Sequence, residues 1–215
     1  MRVAIQKPQS NQTLREEFNA LADSVGHCLL ELKVEQAPVY LGWVQEHHYL
    51  VKRTMRYISL AAGLAPAEDS ASFAFWMKAL KEETNHHRLL ENDARFLGAK
   101  PEDFRASERT QRLASQIFEE MLASGGASLF GYALLLEGLS CKAGTPFMKR
   151  VAKAHGPKAA SFLSLHTIVD DGHDGHFEHG LEFVEKTYDE ATKQHILASL
   201  RASAEAYNAI LNSLK

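Results

Sequence analysis

A chain of 215 residues, 45% hydrophobic and 24% charged, is long enough to bury a substantial core and has the composition of an ordinary water-soluble globular protein. A formal net charge of −3 with the two signs interspersed excludes the basic face that nucleic-acid binding requires. Two cysteines make no disulfide framework. With no signal-peptide run and no apolar span of about 18 residues, the expected setting is the cytoplasm, with no membrane partner.

In chain order the periodicity is helical nearly throughout. Leu14, Phe18, Leu21, Val25, Cys28 and Leu29 recur at steps of three and four, with Thr13 as N-cap. Pro38 suits the first turn of a second helix, which Gly63 and Pro66 close. A third helix is expected from about Ser70 to Leu97, ended by Gly98 and Pro101, and a fourth over 106–123, stopped by Gly125-Gly126. The fifth, ASLFGYALLLEGLSCKAG, is almost wholly apolar and belongs at the centre of a bundle. A short segment from Pro146 follows, then a helix opening at Gly156-Pro157, then a last helix over about 188–213. No strand, repeat or linker interrupts this pattern. The expected fold is all-α, a single domain over residues 1–215 built as a bundle of seven to eight helices.

Eleven histidines are the compositional oddity, and most of them fall in tight groups. In LSLHTIVDDGHDGHFEHG, His166, Asp170 and His173 stand at i, i+4 and i+7, so two imidazoles and a carboxylate share one helix face. Such a set suits iron, manganese or zinc. His176 and His179 drift round the cylinder toward the surface. In KEETNHHRLLENDARFLG, Glu83 and His86 form an ExxH pair, the spacing by which bundle carboxylate proteins place a glutamate beside a histidine. Either group alone reads equally well as a solvated helix face.

Glu137 stands within the apolar fifth helix, where an unpartnered carboxylate is costly to bury. A buried arginine partner is the plain explanation; a metal ion is the pointed one, and two other helices offer ligands for it. On the second helix, QEHHYLVKRT places Glu46 and Tyr49 on one face, with His47 and His48 directed elsewhere. Glu46 is a candidate further ligand. Tyr49 is a candidate hydrogen bonder or redox-active phenol, and packing against a neighbouring helix explains either residue as well.

The ordered set EETNHHRLLENDARFLG, LFGYALLLEGLS and FLSLHTIVDDGH resembles the haem-oxygenase-like di-iron oxidase and oxygenase superfamily, whose members are described as iron-containing redox enzymes. The resemblance covers residues from about 38 to 183, with about fifty residues between His86 and Glu137 and about thirty between Glu137 and His166. It implies a seven-helix haem-oxygenase-like bundle. Glu83, His86, Glu137, His166, Asp170 and His173 would be iron ligands, holding two iron ions of which one is bound more loosely. The implied function is a non-haem, O2-activating oxidoreductase acting on a small molecule; a homodimer is an admissible assembly. The chain departs from the pattern on the second helix, where Tyr49 stands in place of the usual carboxylate and Glu46 one turn before it.

Three other readings share the bundle. A haem oxygenase would use His27 as proximal ligand, but haem gives no reason for Glu137 and the HxxxDxxH set. A thiaminase-II-like hydrolase would use Cys141 as nucleophile and leaves the histidines unexplained. A non-catalytic metal- or ligand-binding bundle fits the departure at Tyr49.

Overall fold

The computed structural model describes residues 13–169 and 175–215. Ten α-helical segments occur among them: α1 Leu14–Leu30, α2 Ala37–Leu64, α3 Ser70–Glu82, α4 His87–Phe96, α5 Glu108–Ala123, α6 Leu129–Leu139, α7 Thr145–His155, α8 Ser161–Val169, α9 His176–Thr187 and α10 Glu190–Asn212. There is no strand among the described residues, as the periodicity required.

The helix ends follow local chemistry. Thr13 and Glu16 form a reciprocal capping box at the start of α1, and Ser107 and Asp189 accept backbone N–H bonds at the starts of α5 and α10. Helix α6 does not stop at Gly144. A π-turn over Ser140–Gly144 carries it into α7, and Pro146, which has no N–H to donate back along the helix, stands where the regular i→i−4 pattern is already interrupted.

The expected third helix is interrupted. The Thr84 hydroxyl donates to the Leu80 carbonyl at 2.9 Å, taking an acceptor the helix would have used. Asn85 then adopts φ 69°, the left-handed conformation that asparagine tolerates better than most residues. Glu83 and His86 therefore sit on a turn between α3 and α4 and not on a continuous helix.

Helix α6 lies at the centre, as its all-round apolarity predicts. Leu129, Phe130, Leu134, Leu135 and Leu139 are buried, and α6 packs on α10, α1 and α9. Side chains the size of Phe130 contribute about 2–3 kcal/mol each when fully removed from water. No described helix is long and apolar enough to cross a membrane.

Candidate metal centre and its cavity

The turn at Glu83–His86 and the helix α8 converge. One ligand atom each from Glu83, His86 and His166 lie within 4.8 Å of one another, and no other such trio of His, Cys, Asp or Glu occurs among the described residues. His86 Nδ1 is 3.0 Å from Glu83 Oε2, and the His86 and His166 rings meet edge to face with centroids 5.0 Å apart. All three side chains are half-buried. Burial alone would raise the Glu83 carboxyl, but the adjacent His86 imidazole, with His166 and His176 farther off, outweighs it and holds the group below its ordinary value. An ionised carboxylate beside two imidazoles is a donor set suited to a borderline divalent metal such as iron.

The position of His166 is set from another helix. Asp93 on α4 is fully buried and accepts hydrogen bonds from the Ser161 N–H at 3.0 Å, the Phe162 N–H at 3.1 Å and the Ser161 hydroxyl. It thus caps α8 from outside and favours the positive end of that helix. The helix bearing His166 is fastened to the one that begins immediately after His86.

Glu83 and His166 open onto a cavity of about 470 Å³ bounded by α1, α2, α3, α6, α8, α9 and α10. Its walls are largely apolar, with Ile58, Phe75, Trp76, Phe130 and Leu134 prominent, and Glu83, Glu137 and His166 stand in them together. The shape and lining are those of a small-molecule site: apolar walls with a few convergent polar groups. Lys78 and Lys186 stand at the rim, with side chains 68% and 73% exposed and directed to Glu82 and Glu182.

The structure brings Glu83, His86 and His166 together and sets Glu137 in the same cavity. Asp170 and His173 lie outside the described residues. Glu46 is elsewhere: both its oxygens accept from the Ser107 N–H, at 3.1 and 3.0 Å, and one also accepts from the Ser107 hydroxyl at 3.0 Å. Its charge serves the N-terminus of α5 and not the histidine cluster. Tyr49 is also away from the cavity, its ring lying under the Arg53 guanidinium at 3.3 Å. The two residues face α5 and Arg53 because the stripe of α2 turned inward is Trp43, His47, Val51 and Ile58. The His27 side chain is 81% exposed beside Glu31, and Cys141 is exposed on the π-turn.

That inward stripe exposes what the sequence reading passed over. His47 is buried in the cavity wall, stacked on Trp43 at 4.8 Å, with the Tyr207 hydroxyl 2.9 Å from its Nδ1. Its place at i+4 from Trp43 and i−4 from Val51 was the available signal. Tyr132, on α6, also lines the cavity.

Residues 41–208 match the model of a family described as iron-containing redox enzyme. No curated protein matches the chain. Among solved structures, a domain of unknown function with a heme oxygenase-like fold from Shewanella denitrificans is similar at a TM-score of 0.80. It is 16% identical, with 95% of this chain and 93% of that one covered. A TenA homolog from Pseudomonas syringae pv. tomato is similar at a TM-score of 0.71 and 11% identity, with 98% of each chain covered. A CADD-like protein of unknown function from Nostoc punctiforme gives a TM-score of 0.60 at 18% identity, covering 92% and 94%. At these identities the likeness speaks to fold, and the fold is heme oxygenase-like.

Proposed function

This chain belongs to the family of iron-containing redox enzymes, and from that premise we propose that it is a non-haem, iron-dependent oxidoreductase that uses O2 to oxidise a small, largely apolar molecule. The observation that carries the reading is the Glu83–His86–His166 trio, with ligand atoms within 4.8 Å, two of whose members, Glu83 and His166, stand in the wall of an apolar cavity. Those three residues would hold iron. Glu137 from the same cavity, with Asp170 and His173 by their sequence spacing from His166, would complete a site for a second ion. Bound iron supplies the capacity to bind O2 and pass it electrons.

What the protein itself supplies is position and dryness. The ionised Glu83 provides anionic charge, and Asp93 holds α8 so that His166 stays within reach of His86. Ring edges and faces of Phe75, Trp76 and Phe130 pack at 4.3–5.2 Å and keep bulk water from the reacting region. A substrate of matching shape would be held against the metal-facing wall by apolar contact, and the expected reaction takes place there without solvent competing for the oxidant.

Anaerobic Fe(II) titration followed by exposure to O2 tests this reading. Wild-type protein should bind one or two iron ions and develop a new absorbance on oxygenation, whereas His86→Ala and His166→Ala should each lower iron affinity by about tenfold or more. Iron binding that neither substitution weakens would refute the assignment. A Soret band on adding haemin, lost in His27→Ala, would favour haem chemistry instead.

A further inference from the structure

The turn that carries Glu83 and His86 reaches the surface through its own middle, where Thr84 and Asn85 are exposed. It lies against α2. The Thr84 hydroxyl is 3.8 Å from the Met55 sulfur, and two turns back along α2 His48 meets Glu91 at 3.2 Å and the His87 ring at 6.3 Å. Those contacts fix the neighbours on this face. Lys52 stands between His48 and Met55, and Arg56 directly after Met55, while Lys81 lies one turn before Thr84 and Arg88 directly after His87. All four are exposed, and none forms an ion pair among the described residues.

Acid to neutralise them is missing. The chain has no Asp or Glu from His47 to Ala67, nor from Ser70 to Lys81. Of the carboxylates nearby, Glu82 faces Lys78, Glu83 is turned to His86, and Glu91 is shared by His48 and Arg95. Arg53, whose guanidinium lies over the Tyr49 ring and donates to the Tyr49 carbonyl at 2.8 Å, adds a fifth positive charge. On a chain of net charge −3 this is a local excess of cations. None of the five lines the cavity, so they do not hold a substrate inside it.

Oxygen chemistry gives such a face a use. O2 taken fully to water accepts four electrons, and a substrate oxidised by two electrons supplies half of them. The other half enters from an external donor. Electron transfer weakens steeply with distance, so the donor must come close to the iron that Glu83, His86 and His166 would hold. Exposed Thr84 and Asn85 are joined directly to Glu83 and His86, which makes the turn a short covalent route from this face to that site.

We propose that Lys52, Arg56, Lys81 and Arg88 form the docking surface for a small acidic one-electron carrier protein of the ferredoxin class, which delivers electrons through the Glu83–His86 turn. In each delivery the reduced carrier loses one electron and a ferric ion gains it, becoming ferrous; no covalent bond forms or breaks. Long-range attraction brings the acidic carrier to the patch, and the contact need only be small and short-lived, as electron-transfer encounters are. The proposal rests on the oxidoreductase reading for the destination of the electron but not for the binding.

Calorimetric titration with a plant-type [2Fe–2S] ferredoxin tests it, on iron-loaded and on metal-free protein. Both should bind, with an affinity that falls about tenfold or more between about 20 and 200 mM salt. Lys52→Glu/Arg56→Glu and Lys81→Glu/Arg88→Glu should each weaken binding by about tenfold, whereas Lys149→Glu/Lys153→Glu, on the exposed face of α7, should not. In stopped flow, reduced ferredoxin should reduce the ferric protein about tenfold more slowly in the first two variants, with reduction by dithionite unchanged. Absence of binding at low salt, affinity indifferent to the patch variants, or binding that salt does not weaken would each overturn the proposal. Patch-dependent binding to phosphatidylglycerol vesicles in place of ferredoxin would overturn it too. Ferredoxin binding without iron binding removes the oxidoreductase and leaves the docking surface, and iron binding without ferredoxin binding does the reverse.

Discussion

His47 shows how much a single buried side chain can impose on the folded state. Burial, helped by the neighbouring His166 and His48, pushes its imidazole down from 6.5 to about 3. Above pH 6.5 the group is neutral both folded and unfolded and contributes no pH dependence. Between 6.5 and 3 the unfolded chain takes up a proton that the folded one refuses, so stability falls as pH falls through that window. The slope from this one group is about 1.4 kcal/mol per pH unit. Urea denaturation at intervals from pH 7 to about 4 checks it: the stability of His47→Gln should fall less steeply than that of wild type, by about that amount. Parallel curves for the two proteins would show that His47 is solvated. By contrast Glu46, next in sequence, is also buried but fully engaged with Ser107, so adjacent residues on α2 serve unrelated purposes.

At the scale of elements, the capping of α8 by Asp93 matters most. A helix of nine residues is too short to hold itself together in isolation, and its position depends on its ends and its packing. Asp93 serves two backbone N–H groups and one hydroxyl there, although burial raises its carboxyl above the ordinary value in spite of those bonds. Asp93→Ala should cost about 2–3 kcal/mol in chemical denaturation, because it leaves buried donors unsatisfied. It should also weaken iron binding, since His166 lies on the helix that is released. Asp93→Asn, which retains an acceptor, should cost less on both measures. Full iron affinity in a clearly destabilised Asp93→Ala would show that α8 is positioned by packing alone. The interruption between α3 and α4 is another element-scale feature, because Thr84 and Asn85 together convert an ExxH spacing on a helix into one on a turn.

For the molecule as a whole, the close approach of α6 and α10 decides how the cavity is enclosed. A Cβ on Gly131 would lie 2.5 Å from the Ile196 carbonyl oxygen and 2.6 Å from the Leu200 nitrogen, both backbone atoms that cannot step aside. Gly131→Ala must separate the two helices, and a loss of about 3 kcal/mol in stability is expected. Thermal and urea unfolding would measure it, and an unchanged midpoint would mean that the crossing is looser than the structure shows. The consequence extends to the cavity, because Phe130 and Tyr132 flank Gly131 and Tyr207 comes from α10.

What was legible beforehand was what local chemistry decides. Apolar periodicity identified the helices, Thr13 and the Gly and Pro residues marked their ends, and apolarity on every side placed α6 in the middle. The spacing of Glu83, His86 and His166 put three candidate metal ligands in order along the chain, and the folded chain brings their ligand atoms within 4.8 Å of one another. Residues 170–174 lie outside the described set, so the remainder of the HxxxDxxH set stands on its sequence spacing. Periodicity names the face a residue occupies but not which neighbour covers that face. Glu46 is buried by the N-terminus of α5, sixty-one positions away. The hydrogen-bond partner of His47 is Tyr207, which is 160 positions distant. Helices and ligand types follow from interactions a few residues apart. The tertiary structure alone decided which polar groups are spent on one another and which are left facing the cavity, because those pairings join parts of the chain that meet only when it is folded.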